Sequence, residues 1–265
     1  MIKDITLGQY IPGKSPLHRS DPRVKIVLSI INMILIFLIN NYIGFLILFL
    51  FTALSIIVSE IPIKYTLKGL KPIAVIVIFT IIVNIFTIKG TPIFEYGIVK
   101  ITIEGIDVSI KLALRLSLLV ITTSLLTLTT TPILLADAIE SLMSPMKLVG
   151  VPVHEIAMMM TISLRFIPTL LDETEKIMKA QASRGADFDT GNILQRAKSF
   201  IPVLVPLFIS AFRRADEMAI AMEARCYRGS EGRTRMKQLK ITSIDYKIAA
   251  VVLALASALL YLQYT

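Results

Sequence analysis

Five apolar stretches, at about residues 24–40, 42–59, 72–88, 106–128 and 246–263, limit what this chain can become. A helix that crosses a bilayer needs roughly 20 apolar residues, within a range of about 17–25. The first three stretches sit near the short end of that range. The stretch from 24 to 128 is dominated by Ile, Leu, Val and Phe, and the whole chain is 55% hydrophobic with a mean hydropathy of +0.74. A soluble domain carries roughly 45–50% apolar residues. The expected fold is therefore an all-α membrane protein with about five transmembrane helices.

The connections are short. Asn40-Asn41 offers a tight turn between the first two stretches. Ile61-Pro62 and Lys71-Pro72 bracket the next connection, because the residue before a proline is steered out of the helical region. Residues 89–105 alternate apolar and polar side chains around Tyr96-Gly97, which predicts a short β-hairpin or a surface loop.

Basic residues set the expected orientation. Lys3, Lys14, Arg19, Arg23 and Lys25 lie in the first 25 residues, and 15 of the 28 Lys and Arg lie in 129–245. The first turn and the tail after Lys247 have none. Cytoplasmic segments of membrane proteins collect Lys and Arg, so the N-terminus and 129–245 are expected in the cytoplasm and the C-terminus outside. The domains follow: a cytoplasmic segment 1–23, four transmembrane helices in 24–128, a cytoplasmic helical segment 129–245, and a fifth transmembrane helix with an external end in 246–265.

The apolar spacing within 129–245 is helical. Phe200, Leu204, Leu207, Ala211, Ala215, Met218 and Met222 recur every three or four residues and form one stripe. Ile156, Met160, Ser163, Ile167, Leu171, Thr174 and Met178 form a weaker one. A shorter amphipathic element runs from Pro132 to about Lys147. One short and two long amphipathic helices are thus expected, with bends from Pro168, Pro202 and Pro206. Residues 200–212 give only 13 residues before Arg213-Arg214, short for a sixth span.

Composition excludes several chemistries. The single cysteine, Cys226, allows no intramolecular disulfide and no cysteine metal cluster, and His18 and His154 are far apart in sequence. No phosphate-binding loop, nucleophile elbow or paired-histidine zinc helix occurs. A net charge of +9 suits nucleic acid or an anionic membrane surface, and the cytoplasmic enrichment of a membrane protein accounts for it without nucleic acid. Neither cofactor nor metal is expected, and no catalytic residue. Lys111 and Arg115 fall one turn apart inside the fourth stretch. Asp107, four residues before Lys111, offers a local partner, so structural pairing or snorkelling is the expected role.

Each long helix ends in an arginine beside small residues. The first end reads Ala182-Ser183-Arg184-Gly185-Ala186-Asp187-Phe188, and the second Glu223-Ala224-Arg225-Cys226-Tyr227-Arg228-Gly229. Arginine at a helix C-terminus is favourable by roughly 0.3–1 kcal/mol, and glycine beyond it is a common terminator. Capping alone does not account for the duplication. A guanidinium fork suits bidentate pairing with carboxylates of another chain, and small neighbours let its backbone approach. Ser183, Arg184, Gly185, Ala224, Arg225, Cys226 and Arg228 are the candidate docking residues.

These motifs resemble the transmembrane T component of energy-coupling factor (ECF) transporters, which import vitamins and metal ions. The opening Gly8-Gln9-Tyr10-Ile11-Pro12-Gly13-Lys14-Ser15-Pro16-Leu17-His18, with Asp21-Pro22-Arg23-Val24-Lys25, is similar to that family's N-terminal signature. The two arginine ends resemble its pair of Ala-Arg-Gly signatures, with Ser183 in place of alanine in the first and Cys226 in place of glycine in the second. The resemblance implies a non-catalytic subunit of the plasma membrane that joins two cytoplasmic ABC-type ATPases to a substrate-binding membrane S component. It also implies that Arg184 and Arg225 end coupling helices docked on the ATPases. Methionines 158, 159, 160, 178, 218 and 222 suit either ordinary packing or a surface that repacks as such helices move.

Two other classes fit the residues less well. A permease binding substrate by itself would show repeats or broken spanning helices, and the sequence has no convincing internal repeat. An intramembrane enzyme would need facing polar groups at membrane depth, and Asn32, Asn84 and Arg115 form no recognisable set.

Overall fold

The computed structural model describes residues 10–96, 99–188, 190, 192–229 and 239–264. Gly8 and Gln9 of the opening motif lie outside them. The described elements are, in order, α1 (Pro16–Arg19), α2 (Pro22–Leu38), α3 (Tyr42–Ser59), α4 (Ile63–Lys68), α5 (Lys71–Thr87), β1 (Pro92–Tyr96), β2 (Val99–Thr102) and α6 (Ile103–Thr129). They continue with α7 (Pro132–Met143), a 3-10 helix (Ser144–Val149), α8 (Val153–Ser183), α9 (Ile193–Ser199), α10 (Ile201–Ala224) and α11 (Ser243–Tyr264). The protein is an all-α membrane protein whose β1–β2 pair forms a small antiparallel hairpin.

The five apolar stretches became α2, α3, α5, α6 and α11, each within a few residues of the expected limits. Tyr42–Ser59, Ile103–Thr129 and Ser243–Gln263 are long and apolar enough to cross a membrane, and Lys71–Thr87 is a shorter apolar helix. At 17 residues each, α2 and α5 are about 26 Å long, slightly under a ~30 Å hydrocarbon core. The short helices α1, α4 and α9 were not expected, since one or two turns carry too few positions to show a period.

Two compact units emerge, one built from Gly8–Ala138 and Gln238–Thr265 and the other carrying Ile139–Lys237. In the first, α6 packs against α2, α3, α4 and α5, while α11 packs against α2 and α3. Its core joins Ile36, Ile39, Phe45, Leu48, Leu118 and Leu259 from four of these helices. The outer faces of α3 and α5 remain apolar, as with Leu46, Phe49, Ile57, Val75 and Phe79, which is how lipid-facing helices present themselves.

Several polar groups of this unit find partners across helices, whereas Asn32 Oδ1 and Thr66 Oγ1 are buried without a hydrogen-bond partner among the described residues. Arg115 on α6 donates through Nε to the Ile36 carbonyl (3.2 Å) and through Nη2 to the Ile39 carbonyl (2.9 Å) and Asn40 Oδ1 (3.0 Å). Two of those acceptors are orphan carbonyls at the end of α2, so the arginine completes that helix end from a neighbour. Its guanidinium also lies about 6 Å from the rings of Phe37 and Phe45. Lys111 pairs with Asp107 at 2.7 Å, one turn away, and Asp107 also accepts from the Tyr42 hydroxyl. Both cations are structural partners of the helices around them.

The opening motif is built around side-chain caps. Ser15 and Asp21 cap α1 and α2, each followed by the proline that suits a first helical position. His18 Nε2 donates to the Ile11 carbonyl at 3.0 Å, which leaves Nδ1 to accept from the Ser15 hydroxyl at 2.7 Å. Asp245, buried at the start of α11, accepts from the Thr242 amide and hydroxyl through one oxygen and from the Asp21 amide through the other (2.7 Å). The Arg23 guanidinium pairs with Asp21 and reaches the Leu239 carbonyl. The starts of α2 and α11 are thereby hydrogen-bonded across 224 positions.

Candidate functional site

The second unit holds every candidate docking residue. Its two long helices pack along their length and run antiparallel. Gln181 near the end of α8 donates to the Pro202 carbonyl at the start of α10 (3.4 Å). Midway, Glu173 accepts from the Ser210 hydroxyl and from Arg214 Nη2 at 2.8 Å. At the far end, Met158 near the start of α8 shares a recess with Met222 and Arg225. Phe166, Leu170, Ala215 and Met218 line an apolar groove of about 450 Å³ between the two helices.

Proline acts differently at its three positions. Pro168 and Pro206 lie inside α8 and α10, as expected, but Pro202 stands in the first turn of α10. There its missing amide is one that a helix start leaves unbonded anyway, so it opens the helix and does not bend it. The chain enters α10 through α9, whose start carries a reciprocal cap between Asn192 and Gln195.

Both arginine ends have the same backbone. Arg184 is the cap of α8, with φ −91° and ψ 7°, and Arg225 is the cap of α10, with φ −91° and ψ 12°. The next residue is left-handed in each case, Gly185 at φ +90° and Cys226 at φ +55°. At the first end the Ala186 amide donates to the Gln181 carbonyl (3.0 Å) and the Gly185 amide to the Ala182 carbonyl (2.9 Å). At the second, the Tyr227 amide donates to the Met222 carbonyl (3.0 Å) and the Cys226 amide to the Glu223 carbonyl (2.8 Å). This double closure is the Schellman motif, formed twice. Tyr227 and Met222, the two residues that such a motif brings together, line the same recess.

This geometry turns each arginine outward. Ser183, Arg184 and Gly185 are exposed at one end of the antiparallel pair, and Ala224, Arg225, Cys226 and Arg228 are exposed at the other. The recess at the second end, about 500 Å³, is walled by Arg225, Cys226, Tyr227, Arg228 and Gly229 with the two methionines. Because α8 and α10 are antiparallel, the two arginines are not brought together. Residues 158 to 184 of α8 separate them, about 40 Å of helix at 1.5 Å per residue.

Glu173 lies close to Asp172 and Glu175 in sequence. Glu175 does pair locally, with Lys179 at 2.7 Å. Glu173 reaches across to α10, and its carboxyl is held below the usual range, first by the Ser210 hydrogen bond and then by the Arg214 charge. Arg214, although Asp216 and Glu217 lie nearer to it in sequence, is its partner. Local spacing does not report which residue of a second helix lies opposite.

The family model described as cobalt transport protein (CbiQ) matches residues 13–236. The chain therefore belongs to the CbiQ family of membrane transport proteins. Its relatives include three named energy-coupling factor transporter transmembrane protein EcfT. The one from Ruminiclostridium cellulolyticum is 65% identical over 264 residues, covering 100% of this chain and 99% of the relative. That from Clostridium kluyveri is 54% identical (98% and 97% covered), and that from Bacillus subtilis 46% identical (99% and 100% covered).

Proposed function

We propose that this chain is the coupling subunit of an ECF-type importer for a vitamin or metal ion. It docks on two cytoplasmic ABC-type ATPases through Arg184 and Arg225 and carries a substrate-binding S component in the membrane. The N-terminus and α7 to α10 are cytoplasmic, and the C-terminus is external. ATP is hydrolysed by the partners.

The observation that carries this reading is the pair of like-built arginine ends at opposite limits of one helical pair. One partner surface meeting both ends would have to span about 40 Å, the length of α8 between them. Two equivalent partners, one at each end, each meet the same backbone motif and the same exposed guanidinium. Both ends belong to helices that are hydrogen-bonded at mid-length through Glu173, Ser210 and Arg214. Movement of two ATPases toward one another would be felt as a change in how α8 crosses α10.

The test is a double substitution, Arg184→Ala with Arg225→Ala, in cells that express the partners. The expected result is lost uptake and lost copurification of the ATPases, with membrane insertion unchanged. Uptake at the unsubstituted level would overturn the docking role.

A further inference from the structure

A cavity of about 100 Å³ lies inside the first compact unit, walled by α2, α3, α6 and α11. Its lining is only half apolar. Lys25, Ser29 and Asn32 line it from α2 at helical spacing, Thr122 and Thr129 from α6, and Thr52 and Ser55 from α3. The rows from Lys25 to Asn32 and from Thr122 to Thr129 have equal length, about 10 Å of helix each. Polar side chains converging inside a spanning bundle are costly unless something satisfies them.

Protein partners satisfy only part of this lining. Asn32 Nδ2 donates to Thr122 Oγ1 at 3.2 Å, while Oδ1 of the same amide has no partner among the described residues, although Asn32 is only 5% exposed. Exchanging the two ends of the amide would let Oδ1 accept from the Thr122 hydroxyl and leave Nδ2 unpaired instead. Either way, one end of Asn32 needs a partner. Lys25 Nζ donates to the Thr129 carbonyl and the Thr130 hydroxyl, both at 3.1 Å, and an ammonium carries a third donor. The Thr52 and Ser55 hydroxyls donate to the Leu48 and Phe51 carbonyls, so their oxygens remain able to accept.

We infer that this cavity is a binding site for a small cluster of ordered waters, one of them hydrogen-bonded to the free end of Asn32. Water both donates and accepts, so it meets Asn32 in either orientation of the amide. An acyl chain from the bilayer offers neither a donor nor an acceptor. A bound water needs about 10–15 Å³ and two to four polar partners, and the cavity has room for several. Asn32, Ser29, Thr52, Ser55 and Lys25 supply donors and acceptors on two of its walls. The hydrated site concerns the first unit alone, so it goes beyond the transport reading and is independent of where the ATPases dock.

The experiment is X-ray hydroxyl-radical footprinting of the full chain in nanodiscs of phosphatidylcholine and phosphatidylglycerol. The radicals form from water where it stands, so a ring beside bound water is oxidised and a ring bathed in lipid is spared. Phe51 lines the cavity, whereas Phe49, on the same helix, is 54% exposed on the outer apolar face. Phe51 should be oxidised several-fold faster than Phe49. An equal or slower rate at Phe51 would overturn the inference. So would a Phe51 rate that exceeds that of Phe49 only after lipid extraction, which would mean that an acyl chain fills the cavity. Asn32→Leu should cut the Phe51 rate several-fold and leave Phe49 unchanged, and an unchanged Phe51 rate in the folded variant counts against the site. Ser29→Leu, which adds bulk to the same wall, replaces it if Asn32→Leu fails to insert. The comparison of Phe51 with Phe49 in the unsubstituted chain stands without either variant.

Discussion

Gly185 and Cys226 hold the same position on different helices, one residue past an arginine cap and in the left-handed region, at φ +90° and +55°. Glycine enters that region freely, whereas a residue with a Cβ pays roughly 1 kcal/mol. Nothing lies within 4 Å of a Cβ built on Gly185, so conformation alone decides its substitution.

Cys226→Gly is accordingly expected to stabilise the end of α10 by about 1 kcal/mol, and Gly185→Ala to destabilise the end of α8 by about the same amount. Amide exchange at residues 224–227 and 183–186 reads the two effects separately. Faster exchange at 224–227 in the glycine variant would contradict the strain argument.

The contact between α8 and α10 should weaken in acid. The Glu173 carboxyl is held low in the folded chain by Ser210 and Arg214, against an ordinary value of 4.5. A depressed folded value means that its contribution is complete above the unfolded value and is lost as pH falls through the folded one. Amide protection along α8, relative to the unstructured exchange rate at each pH, should therefore fall as pH drops below about 4.5. Glu173→Gln should flatten that dependence, and an equally steep fall in the variant would assign it to another group.

Arg115→Leu should cost about 2–3 kcal/mol, because the Ile36 and Ile39 carbonyls and Asn40 Oδ1 lose a charged donor. Arg115→Lys should recover only part, since an ammonium cannot reproduce the fork that reaches three acceptors. Thermal unfolding of the purified chain in one detergent ranks the three proteins. Full recovery by lysine would mean that charge alone matters there.

Much of this architecture was legible in the residues. Apolar runs and helical spacing are local properties, so α2, α3, α5, α6, α8, α10 and α11 could be placed within a few residues, and the arginines at the two long ends stood out by duplication. Tertiary partners were less so. Asp107 beside Lys111 could be foreseen from a four-residue spacing, but Arg115 finds its acceptors on α2, 76 to 79 positions away. Glu173 and Arg214 are 41 positions apart, and each had a nearer opposite charge that spacing alone would prefer. The left-handed backbone at Cys226 had a faint signal, because the glycine-bearing first end predicts what the second must adopt.

The Asp245 bond to the Asp21 amide also bears on how the chain is made. Helix α2 is made early, yet an acceptor for the amide of its capping residue is supplied by a residue translated more than two hundred positions later. Until α11 has been synthesised, the Asp21 amide is without that acceptor, while Ile11 and Lys25 already reach the Leu128 and Thr129 carbonyls at the end of α6. A nascent chain stopped before Asp245 would leave the start of α2 without this anchor.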